Sequence, residues 1–160
     1  MQDMLVRLLD LPDISREEAR LFQDQEILFR RPIAPEKSML VDWVRSNFSV
    51  LWANEVETAF AFLPVHCHIA QRGQDILGFA CYECTSRNFF GPTGVHPDMQ
   101  GQGIGKVLLV KSLMALREMG YAYAVIGGVG PATYYEKAVG ATIIDKSEMG
   151  IYQNLLKPPQ

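Results

Sequence analysis

The spacing of apolar and polar positions changes along the chain, and each change predicts an element. "MLVRLLDL" is short and apolar and predicts an opening strand. "ISREEARLFQDQEILFRRP" has helical spacing. Ser15 can cap it, Glu17 and Glu18 favour its positive end, Arg30 and Arg31 favour its negative end, and Pro32 stops it. "APEKSMLVDWVRSNFSVLWANEVETAFAFLP" predicts further helix, opened by Pro35 and closed by Pro64. Its aromatics, Trp43, Phe48, Trp52, Phe60 and Phe62, read as core, with a pocket wall as the alternative.

The period then shortens. "VHCHIAQRGQDILGFACYECTS" predicts two strands around a turn at residues 73–75, and "FFGPTGVHP" a third strand. Gly91, Pro92 and Gly94 predict a bulge or splay in it, or close approach by a ligand. A helix with a stripe of Leu108, Leu109, Ser112, Leu113 and Leu116 runs to about Met119, and Gly120 stops it. "YAYAVIGG" is apolar on both faces, as a central strand is. "GPATYYEKAVG" predicts a short helix between Pro131 and Gly140, and "ATIID" and "GIYQNLL" two closing strands. The order predicts an α/β (α+β) fold with a mixed sheet, in one domain over residues 1–160. Residues 1–64 would form a helical region and 65–157 the sheet.

Composition narrows the function classes. With 160 residues, 48% of them hydrophobic, the chain can fill a core. A net charge of −3 gives no broad basic field for nucleic acid or a membrane surface. No run of about 18 apolar residues predicts a membrane span. The start lacks the basic and apolar segments of a secretion signal, and Cys67, Cys81 and Cys84 read as buried thiols, so the chain is expected in the cytoplasm. Cys81 and Cys84 supply half a zinc site at most, and no metal is expected.

Chemistry concentrates at "GQGIG", Gly101–Gly105, where a strand runs through a glycine turn into a helix. Amides at a helix start lack intrahelical partners and face a positive dipole end, which favours phosphates. A nucleotide loop of the G-x-x-x-x-G-K-[ST] type fails twice: Gln100 stands where the first glycine belongs, and Val107 where the magnesium-binding hydroxyl belongs. The G-x-G-x-x-G dinucleotide turn fails on spacing and on chain position.

"QGQGIG", Gln100–Gly105, resembles the Q/R-x-x-G-x-G/A acyl-CoA loop of the GCN5-related N-acetyltransferase (GNAT) family. Val95, Pro97 and Gln100 of "V-x-P-x-x-Q", the amphipathic helix, the apolar strand and "YYEKAVGA" follow in that family's order. "GPTGV" and "GIY" look like one bacterial branch. The resemblance implies a mixed, mostly antiparallel sheet flanked by helices, with acetyl-CoA in a cleft where "FFGPTGVHP" and "YAYAVIGG" splay apart. It implies that the backbone of Thr93 and Val95 faces pantetheine and the thioester, and that Gln100, Gly101, Gln102, Gly103, Ile104, Gly105 and Lys106 form the pyrophosphate site. Losing one oxyanion donor costs about 3–4 kcal/mol of barrier. By resemblance Tyr135 serves the departing thiolate, while Tyr134 packs.

Two positions depart from the family pattern. Gly128 stands where many members carry a cofactor-binding asparagine, and Phe89 where some carry a glutamate base. Glu83 is the remaining candidate base, with His66 and His68, alternating onto one strand face, as candidate proton relays. Trp52, Glu55 and His66 are candidate acceptor contacts, Glu55 for a cationic group. The expected activity is acetyl transfer from acetyl-CoA to a primary amine of a small molecule. A peptide or protein N-terminus is the second acceptor class, and an acyl-CoA sensor without turnover the alternative. The family also implies that a homodimer is an option.

Overall fold

The structure is a computed structural model that describes residues 1–157. Seven strands form one sheet: β1 (Met4–Arg7), β2 (Ile27–Arg30), β3 (Cys67–Arg72), β4 (Asp75–Tyr82), β5 (Phe89–Val95), β6 (Tyr123–Ile126) and β7 (Thr142–Ile143). Their order across the sheet is β2-β3-β4-β5-β6-β1-β7, and only β5 and β6 run parallel. This is the mixed, mostly antiparallel sheet with one parallel pair that the motif order implies. Five helices flank it: α1 (Ser15–Gln25), α2 (Lys37–Asn47), α3 (Val50–Ala59), α4 (Ile104–Glu118) and α5 (Ala132–Val139).

Burial divides the sheet into two faces. One carries Val6, Ala80, Tyr82 and Phe90 against Leu108, Leu109, Leu113 and Leu116 of α4 and Leu21 of α1. The other carries Cys67, Ile69, Phe79 and Cys81 against Leu40, Val41 and Val44 of α2 and Ala53 and Val56 of α3. Neighbouring residues of β3 and β4 divide between the two clusters because side chains in a strand alternate. The predicted stripe of α4 is the stripe buried, Ser112 included. Cys67 and Cys81 are buried and face one another across β3 and β4, Cys84 is half-buried, and all three are free thiols.

Three predicted boundaries move. The helix expected to reach Pro32 ends at Gln25. Glu26 turns left-handed (φ 56°), and "ILFR" becomes β2, with Ile27 and Phe29 buried and Leu28 exposed. Pairing with β3 wins over helical continuation there, because the strand buries two large side chains at a sheet edge that would otherwise stay open. Arg30 therefore reaches Glu36 (2.8 Å) and Gln71 (2.6 Å) instead of a helix end. The long helix before Pro64 breaks between α2 and α3, where the Ser49 hydroxyl accepts the Trp52 N–H (3.1 Å) and caps a new start.

The third change concerns the closing pair of strands. "ATIID" supplies only the two-residue β7, and "GIYQNLL" forms no strand; residues 150–152 make a single 3-10 turn. The N-terminal strand β1 lies between β6 and β7 instead, with Met4 opposite both Ile126 and Ile143. Met4 and Val6 are buried there, so β1 satisfies both backbone edges and an apolar face at once. Residues 1–64 thus supply two strands to the sheet and are not a purely helical layer.

His68 lies within the α4-side core. Its Nδ1 is 3.2 Å from the Ser112 hydroxyl, and burial, with the Arg31 and Lys111 charges, holds its pKa down at about 3. The unfolded chain binds this proton near pH 6.5 and the folded chain does not, so stability rises with pH across about pH 3–6.5. Each pH unit of acidification in that window costs about 1.4 kcal/mol from this group. His68→Gln is expected to flatten that limb in denaturant melts at stepped pH; an unchanged slope would show that His68 is protonated in the folded protein.

Candidate active site

β5 and β6 are joined by only two residue pairs, Phe89 with Val125 and Phe90 with Ile126. Beyond them Gly91 adopts φ 119°, a backbone state that favours glycine, and Pro92 has no N–H to offer β6. The strands separate at this point. On its other edge β5 stays paired to β4, where Phe79 faces Gly94 and the His96 N–H donates to the Leu77 carbonyl (2.8 Å). Groups along a strand alternate between its edges, so the N–H groups of Thr93 and Val95 point into the opening. The Gln100 side chain donates to the Val95 carbonyl (3.2 Å), tying the glycine turn to that strand. The Thr93 hydroxyl donates to the Phe79 carbonyl (3.0 Å), fixing the side chain toward β4.

The glycine turn leads straight into α4. Gly103, at φ 97°, precedes the first helical residue, and no side chain caps that start. Buried Ile104 anchors it in the core. The amides of Ile104, Gly105 and Lys106 have no partner within the helix, whose first closed bond runs from the Val107 N–H to the Gly103 carbonyl (3.2 Å). Lys106 lies 3.2 Å from Glu17 of α1, which already balances its charge. A second ion pair, Lys111 with Glu18 (2.9 Å), holds α1 alongside α4. Arg20, on the same helix, donates to the Gln102 carbonyl (2.9 Å). Its remaining guanidinium hydrogens make Arg20 the cation of this turn, and no pattern within α1 marks it for that place.

The two tyrosines of α5 reverse part of the expectation. Tyr134 is 39% exposed, and its hydroxyl lies 3.5 Å from where a Cβ of Gly105 would stand, at the cleft mouth. Tyr135 packs against the α4-side core, edge-on to Tyr134 at 5.1 Å. Helical spacing turns adjacent residues about 100° apart, so one ring follows the core and the other the loop. Burial pushes the Tyr135 phenol up to about 12 and raises that of Tyr134 as well.

The remaining candidates lie in different places. Glu83 accepts the Asn88 N–H (2.9 Å) and closes the tight turn after β4, in which both residues take positive φ, so its carboxylate is committed to the backbone. Trp52, partly buried, stacks on Phe48 (5.3 Å) and meets Phe79 edge-on, packed against the α2–α3 core. His66 is buried on the sheet face opposite α3, stacked between Phe62 (3.9 Å) and Tyr82 (4.7 Å), with its Nδ1 unpartnered. It therefore does not meet Trp52 or Glu55. Glu55 is half-buried on α3, and its carboxylate accepts a hydrogen bond from the Thr85 hydroxyl. Burial raises its pKa.

Gly128, the departure noted at the helix start, has its amide taken by the buried Asp3 carboxylate (2.8 Å), and the Val129 amide goes to the Gln2 carbonyl (2.9 Å). Asp3 in turn receives the C-terminal segment: the Ile144 amide donates to its carbonyl, and its own amide to the Ser147 hydroxyl (2.8 Å). The segment continues to Tyr152, whose hydroxyl lies 3.7 Å from a Cβ placed on Gly127. Thr85, Tyr152 and Asp3 carry no local signal in the sequence because their meeting depends on contacts between segments 67 or more residues apart. Among the described residues no group of three or more His, Cys, Asp or Glu side chains is arranged to hold a metal, and no helix is long and apolar enough to cross a membrane.

Comparison with known proteins assigns the region around this cleft. A family model described as acetyltransferase (GNAT) domain matches residues 64–138. A comparison with curated proteins finds no match. Among solved structures, the chain is similar to a GCN5-related glucosamine N-acetyltransferase region of a fungal multi-domain β-N-acetylglucosaminidase. The TM-score is 0.71 at 15% identity, over 89% of this chain and 19% of that one. A GCN5-related N-acetyltransferase from Sphaerobacter thermophilus matches with TM-score 0.63 and 15% identity, over 89% of this chain and 48% of that one. A GNAT family acetyltransferase from Brucella melitensis, solved with acetyl-CoA, gives 0.56 and 18%, over 74% of this chain and 86% of that one. The chain thus spans less than half the length of the first two, and at these identities the likeness is one of fold.

Proposed function

We propose that the chain, a member of the GNAT acetyltransferase family, is an acetyl-CoA-dependent N-acetyltransferase that acts on a small primary amine. The observation that carries this reading is the opening between β5 and β6, lined on one side by unspent strand amides and bounded by an uncapped helix start. An acyl-CoA is a long chain with amide groups at one end and phosphates at the other. Thr93 and Val95 offer backbone pairing to its pantetheine, as an added strand would receive. Residues 102–106 and Arg20 offer donors and positive charge to its pyrophosphate. The residues present therefore fit the cosubstrate. The fungal structure is described as a glucosamine N-acetyltransferase region, and an amino sugar is an acceptor of the proposed size.

The amide nearest the thioester carbonyl stabilises the charge that develops on its oxygen. Tyr134 stands at the cleft mouth and Tyr135 packs on the core beside it; by the family resemblance it is the Tyr135 phenol that supplies a hydrogen bond to the departing sulfur, and not its proton. With its pKa at about 12, transfer to a thiolate of ordinary pKa, about 8.5, is uphill by roughly 5 kcal/mol. The phenol thus stays protonated through turnover, which suits a donor that is reused without being recharged.

The alternative, an acyl-CoA sensor, draws on Gly128, whose amide is already spent on Asp3, and on the absence of a carboxylate at Phe89. Thiol release from acetyl-CoA across a panel of primary amines separates the two. Release favours the transferase; tight CoA binding with no release on any amine favours the sensor. Saturating acetyl-CoA is expected to raise the melting temperature by about 5–10 °C at a hundredfold excess over Kd, and ATP to leave it unchanged. Gly103→Val should abolish that shift. Arg20→Ala should weaken CoA binding several-fold, and Lys106→Ala should do less because Glu17 already neutralises it. A shift with ATP and none with acetyl-CoA would reassign the turn. Tyr135→Phe is expected to slow acetyl transfer about ten- to a hundredfold with CoA affinity intact, and Tyr134→Phe serves as the neighbouring control. Undiminished turnover in Tyr135→Phe would take that phenol out of the reaction.

A further inference from the structure

We infer that Glu55, Thr85 and Tyr152 form the acceptor subsite, in which the Glu55 carboxylate binds the ammonium group of a cationic primary amine and takes a proton from it. This rests on the transferase reading above. Each neighbouring carboxylate already has a partner. Glu83 accepts the Asn88 amide, Glu57 pairs with Lys37 (2.9 Å), and Asp3 holds the Gly128 amide. Glu55 has only the Thr85 hydroxyl, and among the described residues no Lys, Arg or His pairs with it. A carboxylate half-withdrawn from water with no cation beside it is an unfavourable arrangement for a folded protein alone, and a bound ammonium removes the penalty.

Position makes the same assignment. Glu55 projects from α3, on the sheet face opposite α4 and its glycine turn. Thr85 lies in the turn that leads into β5, and the Tyr152 phenol stands beside it. Tyr152 in turn reaches Gly127, the first residue beyond the last β5–β6 pair, where the ring of Phe89 lies 3.0 Å from a Cβ built on that glycine. The line from carboxylate through hydroxyl to phenol therefore ends at the opening, across the sheet from the phosphate end. The other charged group that faces Tyr152 is Asp3, also an acid. Acid groups thus line this side, and they favour a cation over a neutral or anionic acceptor. Phe89 and the Tyr152 ring supply the apolar wall of this subsite.

An alkylamine with a pKa near 10.4 is about one part in 2,500 neutral at pH 7, so a proton must leave before attack. One ammonium proton passes to the Glu55 carboxylate, and the freed nitrogen lone pair bonds to the thioester carbon. The C–S bond breaks, the second nitrogen proton goes to the departing thiolate, and the products are an N-substituted acetamide and CoA thiol. Glu55 returns its proton to water. Burial raises the Glu55 pKa above the ordinary carboxylate value, which makes it a better base, and a bound ammonium draws it back down.

The test has two parts. Carboxyl-carbon NMR of [13C]Glu-labelled protein, with Glu55→Gln to assign the signal, follows the titration with and without 1,4-diaminobutane on the CoA-bound protein. Thiol release across diamines, amino sugars and basic amino acids compares wild type with Glu55→Gln, Glu55→Asp and Thr85→Val as pH profiles. The expected results are a raised midpoint that falls when the diamine binds, and an amine KM at least tenfold higher in Glu55→Gln. The acidic limb of kcat/KM should be lost in Glu55→Gln and kept in Glu55→Asp, with CoA affinity unchanged in all three variants. An ordinary midpoint that ignores the diamine, or an unchanged profile in Glu55→Gln, overturns the subsite and leaves the transferase standing. CoA binding by wild type without thiol release on any amine overturns both. If Glu55→Gln does not fold, the wild-type titration, assigned with Glu55→Asp, and the Thr85→Val profile decide alone.

Discussion

Two parallel residue pairs, Phe89 with Val125 and Phe90 with Ile126, are all that joins the two halves of the sheet. Every further pair is denied by Pro92, which has no N–H, and by Gly91, whose φ of 119° takes the chain off the ladder. A third and fourth pair would close the opening and spend the Thr93 and Val95 amides on β6. Stopping at two leaves those amides unspent in the middle of a sheet, where backbone groups are otherwise paired. The surroundings are consistent with that vacancy being kept: Gln100 fixes the strand to the glycine turn, Tyr134 sits at the mouth, and Tyr152 covers the far end.

The two faces of the sheet divide the work. On the α4 face the requirement is positive charge and bare amides, supplied by the helix start and by Arg20 of α1, which two ion pairs dock onto α4. Individually such pairs, partly exposed, contribute about 0–1 kcal/mol, so their role is to place α1 more than to hold it. On the α3 face the groups nearest the opening are the Glu55 carboxylate and the rings of Phe89 and Tyr152. In the proposed reading, an opening with opposite electrostatic character at its two ends would tell a phosphate-bearing chain from an amine by charge alone.

Much of this was legible in local pattern. The glycine turn, α4 with its apolar stripe, β6 and α5 follow from spacing within about twenty residues, and the structure keeps them. What escaped reading is what depends on distant partners. "ILFR" continues a helical pattern until β3 offers it an edge. "GIYQNLL" reads as a closing strand, but β1 holds the place beside β6 and leaves it none. The tyrosine pair could be found from the sequence but not oriented, since one helical step decides which ring meets the loop. Arg20, Asp3 and Thr85 carry no motif at all, and the "GIY" that contains Tyr152 does not say where its ring goes; each gains its place from a fold-level contact.

The position of β1 also sets a timetable. Its partner on one side, β6, follows about 120 residues later, and β7 later still, so the longest loop in the sheet must close before either pairing forms. During synthesis β2 to β5 can assemble as an antiparallel array while the first strand waits unpaired. The half of the cleft that contains β6, α5 and Tyr152 is then completed after the half built on β2 to β5. An apolar strand that must stay unpaired until more than a hundred later residues have been made is a natural client for a chaperone, and the cleft is incomplete until β1 has met β6.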